Sequence, residues 1–205
     1  MRFKNKKKAV KCRMNKMDKE NKGKTNKKET EQKETNLVKE IISYLIYIGA
    51  ALVITFLIVR FVGQRTEVKG SSMETTLSHQ DHLIVDKISY VFSEPDRFDI
   101  IVFPYGEDYF IKRIMGLPGD MVQIIEGYIY INGVLLDENY GNEIMKRADL
   151  AEEPIILGAD EYFVLGDNRN NSTDSRMIGA IHKDEILGKA WVRIWPLNKF
   201  GIIKH

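Results

Sequence analysis

The 205-residue chain holds one cysteine, Cys12, so no disulfide can close within it and no cysteine pair can hold a metal. Its four histidines, His79, His82, His182 and His205, fall in no metal-ligating spacing, and no His-Glu-x-x-His is present. No internal repeat occurs. Residues 1–36 have almost no apolar side chains, and Ile41–Val59 has no charged one. Positive charge is also missing where it would matter for nucleic acid. Residues 1–40 carry 15 Lys and Arg against 6 Asp and Glu, whereas residues 41–205 carry 16 against 23. A net of −7 on the body would repel phosphates, which argues against nucleic acid as its substrate.

Each absence defines a segment. A Lys-, Asn- and Glu-rich stretch with nothing to bury cannot repay its ordering entropy, so residues 1–36 are expected to be a disordered basic tail. The run IISYLIYIGAALVITFLIV over 41–59 is long enough, as a helix, to cross a hydrocarbon core of ~30 Å. Tyr44 and Tyr47 near one end and Arg60 and Arg65 after the other are interfacial anchors. A single membrane anchor is expected over residues 37–62, and the lysine excess before it sets the amino end in the cytoplasm. A cleavable signal peptide is the competing reading, but no Ala-x-Ala-like site follows within Arg60–Gly70.

The remainder, residues 66–205, has the length of one domain and the patterning of strands. Short β-branched runs stand at Leu83–Val85, Asp99–Phe103, Tyr109–Met115, Glu161–Leu165 and Leu187–Ile194. Met121–Ile125 and Tyr128–Ile131 read as a hairpin about Glu126-Gly127, and Asn132-Gly133 signals a tight turn before Val134–Leu136. The polar segment Tyr140–Pro154, with a helical turn or two within Glu143–Ala151, reads as an excursion of the sheet, which spans about residues 120–155. The fold class is mainly β behind one N-terminal helix.

Three stretches can carry chemistry. Gly70-Ser71-Ser72-Met73-Glu74-Thr75-Thr76-Leu77 places two serines in a polar turn, with Met73 and Leu77 as apolar anchors. A serine needs a base within hydrogen-bond reach. The histidines stand in solvated stretches and read as surface residues. The local Ser-x-x-Lys arrangement is absent, since Thr75 occupies the lysine position after Ser72. Lys112 is the other candidate: in a strand it shares a face with Phe110 and Ile114, and desolvation there would lower its pKa. A lysine that snorkels to solvent is the plain alternative. The third stretch, Gly166 to Arg176, is polar throughout yet follows the apolar run Tyr162–Leu165. It fails the calcium-loop pattern, with Arg169 and the missing glycine in the wrong places, and fits a charge-assisted buttress around a site.

Taken together, the apolar anchor, Gly-x-Ser-Met-x-x-Thr-Leu, Tyr-x-Ile-Lys-Arg-Ile-x-Gly-Leu-Pro-Gly-Asp and Gly-Asp-Asn-Arg-x-Asn-Ser-x-Asp-Ser-Arg resemble bacterial type I signal peptidase, in its Gram-positive-like form. The resemblance runs from Leu37 to the C-terminus. It implies a mainly β catalytic domain of the signal-peptidase type and a membrane-anchored serine endopeptidase that removes signal peptides by a Ser-Lys dyad. No cofactor or metal is implied. Ser72 falls on the nucleophile and Lys112 on the general base. Ser172 falls on the serine that orients the lysine amine. Asp174, Arg176 and Asp167 fall on supporting positions, with Asp167 facing Arg113. Ser71 and Gly70 flank the oxyanion hole, to which the Ser72 N–H contributes. Gly70 stands where some relatives have a hydroxyl donor, so the second donor here would be a backbone group or the hole is weaker. Thr75 replaces a usual proline and Phe98 a frequent glycine, changes expected to alter loop stiffness rather than chemistry.

The implied partners are secretory preproteins with Ala-x-Ala-type sites and the lipid membrane, with a monomer as the default. The catalytic domain would lie on the extracytoplasmic face. Three alternatives remain: a Ser-Lys peptidase with a narrower substrate, an inactive membrane-tethered β-domain that only binds, and a tail-driven binder of anionic surfaces.

Overall fold

In a computed structural model, residues 39–56, 63–141 and 143–204 are described. The expected basic tail lies outside them. They fall into two units, a helix and a β body. Helix α1, Lys39–Phe56, runs 18 residues, about 27 Å at a rise of 1.5 Å, and by length and composition it can cross a membrane. Ile42, Leu45, Leu52 and Phe56 are all exposed on it, as expected of a helix that is apolar on every side.

Among the described residues the body holds twelve strands in two sheets. The larger contains β1 (Gly63–Glu67), β2 (His82–Asp86), β3 (Ile100–Tyr105), β4 (Asp108–Gly116), β9 (Glu161–Leu165), β10 (Ile181–His182), β11 (Gly188–Trp195) and β12 (Gly201–Ile202). Its order is β1-β2-β11-β3-β4-β9-β10, with β12 beside β11, and its pairings are antiparallel. The second sheet, β7-β6-β5-β8, is the expected excursion, from β5 (Met121–Ile125) through β6 (Tyr128–Ile131) and β7 (Val134–Leu135) to β8 (Ile155–Ile156).

Turn chemistry sets the register of the smaller sheet. Glu126 and Gly127 have φ of 51° and 82°, and Asn132 and Gly133 have 53° and 78°. Two successive left-handed residues match the right-handed twist of the strands they join. The polar segment after β7 is tied down: Met145 and Ala151 are buried with Val122, Ile124, Ile129 and Phe163 in one core cluster. A single 3₁₀ turn, Asp149–Glu152, stands near the expected helical turn.

Two further apolar clusters support the larger sheet. One gathers Val68, Met73, Leu77, Leu83, Val85, Ile100, Val102, Ile111 and Ala190 beneath the Gly-Ser-Ser turn. The other packs Ile101, Phe103, Ile114, Tyr162 and Val164, with Phe110 against it. Strand β4 therefore has an apolar layer on each side, and its residues Ile111–Gly116 are buried.

Candidate active site

The Gly-Ser-Ser segment is a turn anchored from below. Met73 and Leu77 are 1% and 0% exposed, the Leu77 N–H donates to the Met73 carbonyl at 2.8 Å, and Val68 exchanges backbone hydrogen bonds with Asp81 and Gln80. With Met73 held down, the preceding Ser72 turns toward a cleft of about 480 Å³. Val68–Met73, Tyr109–Lys112 and Asn170–Thr173 form its walls, and Met177 lies at its margin.

Strand β4 delivers Lys112 to that cleft. Its Nζ lies 2.8 Å from Ser72 Oγ and donates also to the Ile111 carbonyl at 3.1 Å. It stands 4.8 Å from the centre of the Phe110 ring, and the residue is 3% exposed. Burial pulls the Lys112 ammonium down to about 8, against the opposing pull of the Asp174 and Asp167 carboxylates. A lysine so placed is neutral in a useful fraction near neutral pH, which a base requires. Among the described residues no histidine hydrogen-bonds Ser72. His79 and His182 are exposed. His82 differs from its reading as a surface residue: it is half-buried and opens β2, paired with Glu67 and Trp195, and its Nδ1 is buried without a partner.

The polar stretch after β9 wraps the pair. Asp167 is fully buried and accepts from Arg113 Nε at 2.9 Å, Arg113 Nη2 at 2.8 Å and Thr76 Oγ1 at 2.5 Å. Arg113 Nη1 donates to the Phe98 carbonyl at 2.9 Å. Asp174 accepts from Arg176 Nε at 2.8 Å and Nη2 at 2.9 Å, and from the Gly166 N–H at 3.1 Å. Both ion pairs are dry, so each carboxylate and guanidinium depends on the other for its solvation. Ser172 lines the cleft with its Oγ buried, but it makes no hydrogen bond, and the second contact of Lys112 Nζ goes to the Ile111 carbonyl instead.

Two asparagines not singled out from the sequence complete the frame. The Asn168 N–H donates to the Ser72 carbonyl at 3.0 Å, and its Nδ2 to the Ser71 carbonyl at 3.1 Å. Asn171 Nδ2 donates to Ser71 Oγ at 2.9 Å. These contacts span about a hundred residues of chain and have no local sequence signal. The surrounding glycines are fitted to them. A Cβ at Gly166 would stand 2.5 Å from the Ser72 carbonyl oxygen and closer still to Ser172 Oγ.

Two of the three departures, at Gly70 and Phe98, have physical readings. Gly70 has φ +90°, where a residue with a Cβ is strained, and its N–H donates to His79 Nδ1 at 3.2 Å. Phe98 has φ +73°, a conformation suited to the glycine it replaces. Its ring offsets the strain by packing 5.1 Å from Tyr140 and against the core cluster that holds Met145 and Ala151.

A serine hydrogen-bonded to a buried lysine in a β-fold defines a class of site suited to nucleophilic hydrolysis. Comparison with known proteins gives the family. Residues 38–195 match the family described as signal peptidase, peptidase S26. The chain is 43% identical over 151 residues to a probable signal peptidase I-2 of Synechocystis, covering 70% of this chain and 68% of that one. It is 43% identical to a signal peptidase I of Leptolyngbya laminosa (75% and 79% covered) and 33% identical to signal peptidase IB of Staphylococcus aureus (79% and 93%). The chain belongs to the signal peptidase I family.

Proposed function

We propose that this protein is a membrane-anchored serine endopeptidase that removes signal peptides from secretory preproteins through a Ser72–Lys112 dyad. The observation that carries the reading is the 2.8 Å approach of Lys112 Nζ to Ser72 Oγ, with a lysine buried enough to titrate at about 8. Neutral Lys112 accepts the hydroxyl proton as Ser72 Oγ attacks the scissile carbonyl carbon. The resulting oxyanion is held by the Ser72 N–H and a second donor of the Gly70–Ser71 turn. Lys112 returns the proton to the departing amine. The acyl-enzyme is then hydrolysed by a water that Lys112 deprotonates, which regenerates Ser72. Ser172, whose buried Oγ lines the cleft without a hydrogen bond, is assigned to orient the amine.

Strand pairing suggests how a substrate lies. β3 pairs along Asp108–Arg113 of β4, but β9 meets β4 only at Arg113, Ile114 and Gly116. The opposite edge of Asp108–Lys112 therefore borders the cleft with no strand on it among the described residues. An extended peptide added there would present its carbonyl to Ser72 by main-chain hydrogen bonds. Family membership supports preproteins with small residues before the cut as substrates. Helix α1 supports residence in a membrane, and the lysine excess before it supports a cytoplasmic amino end with the β body outside.

The test uses purified full-length protein in detergent with a precursor whose signal ends in Ala-x-Ala. Product sequencing is expected to show cleavage after the last alanine, abolished in Ser72→Ala and in Lys112→Ala. Cleavage that survives in Lys112→Ala would refute the lysine base. No cleavage by the wild type across several precursors would favour a narrower peptidase or a binding module.

A further inference from the structure

The excursion sheet reaches back to the site through one short segment, Glu138–Gly141, after β7. Glu138 receives both ends of the Arg169 guanidinium, at 2.6 and 2.7 Å, and this side-chain pair is 3% and 12% exposed. Gly141 lies flat against the same guanidinium, where a Cβ would stand 2.9 Å from Arg169 Cζ. Arg169 is next to Asn168, which holds the Ser71 and Ser72 carbonyls. Two residues from Glu138, the Tyr140 ring covers the Arg113 guanidinium at 3.8 Å. Arg113 is next to Lys112 and is otherwise held by Asp167 and the Phe98 carbonyl. One segment thus grips the neighbour of the base and the neighbour of the residue that clamps the nucleophile.

Resting on the dyad reading, we propose that Glu138 and Tyr140 are positioning residues that set the Lys112–Ser72 approach from outside the cleft. Neither lines the cleft or contacts either reacting atom. Each acts through a planar guanidinium whose orientation is fixed by a partner on each side, which is where a bidentate or stacked arginine adds geometric precision. The coupling is short-range and made of rigid parts. Loss of the Tyr140 ring lets water reach Arg113 and the base of β4, so Lys112 becomes better solvated and its pKa rises. Loss of the Glu138 carboxylate releases Arg169 and loosens the Asn168 clamp.

The test compares full-length wild type, Tyr140→Leu, Tyr140→Phe and Glu138→Gln in detergent on one precursor, with thermal unfolding to confirm folding and Ser72→Ala alongside. In Tyr140→Leu, kcat is expected to fall about tenfold, with KM within about twofold of wild type. The midpoint of its kcat/KM–pH profile is expected to move above that of wild type. Tyr140→Phe keeps the ring and is expected to restore wild-type values. Glu138→Gln, which keeps the side-chain size, is expected to lower kcat with the same small change in KM, and it carries the test if Tyr140→Leu does not fold. Wild-type kcat and an unmoved midpoint in the folded variants would overturn the brace alone. Cleavage by Ser72→Ala would overturn the dyad and the brace with it.

Discussion

A lysine ammonium buried against Phe110 and the apolar layers of β4 gives up hydration that the unfolded chain retains. Its pKa falls from ~10.4 when solvated to about 8 in the fold, a difference of ~3 kcal/mol between the two protonation states. The sign follows from proton binding. Between pH 8 and ~10.4 the unfolded chain binds the proton that the folded chain has released, so stability rises with pH through that window. Below pH 8 the whole cost is present. Lys112→Met is therefore expected to be inactive, to unfold at a higher temperature than wild type at pH 7, and to lose most of that advantage by pH 10, as thermal melts in detergent would show. Removing the Asp167 charge is expected to have the opposite effect on stability. Asp167→Asn leaves Arg113 buried without its charge partner and is expected to lower unfolding free energy by about 3–5 kcal/mol in denaturant titrations.

At the level of elements, the site depends on where β9 ends. Gly166 follows β9 directly, and the missing Cβ lets the Ser72 carbonyl and Ser172 approach the chain. Gly166→Ala is expected to push the nucleophile turn away from Lys112 and lower kcat by on the order of 10²-fold, read by the same precursor assay. The elements legible in the sequence share one property, that local chemistry fixes their ends. Met121–Ile125 and Tyr128–Ile131 are bounded by Glu126-Gly127 and Asn132-Gly133, and the turns leave no other register. β1, Gly-Gln-Arg-Thr-Glu, has no apolar alternation and exists because β2 offers it a paired edge. β10 and β12, two residues each, are likewise made by their neighbours. Within the site, Lys112 is legible from the motif it stands in, while its strand alone leaves a buried base and a snorkelling lysine both open. Asn168, Asn171 and Glu138 are not, because their partners lie 97, 100 and 31 residues away.

At the level of the whole molecule, an apolar helix and an acidic β body are joined after a strongly basic amino end. On our reading the helix holds the enzyme in the same plane as its membrane-inserted substrates, which removes most of the translational freedom of their encounter. Cys12, the one thiol, reports the topology. In intact cells it is expected to react with a membrane-permeant maleimide and to resist an impermeant one until the membrane is opened. Labelling of intact cells by the impermeant reagent would place the amino end outside and reverse the proposed orientation.

The most direct test of the central claim is the pH dependence of kcat/KM for full-length wild type on a single precursor between about pH 5.5 and 9.5. Only neutral Lys112 can take the Ser72 proton, so activity is expected to rise with pH through a midpoint near 8, set by the burial of that lysine. A midpoint near ~6.5, the ordinary histidine value, or a flat profile across that range would contradict a lysine base.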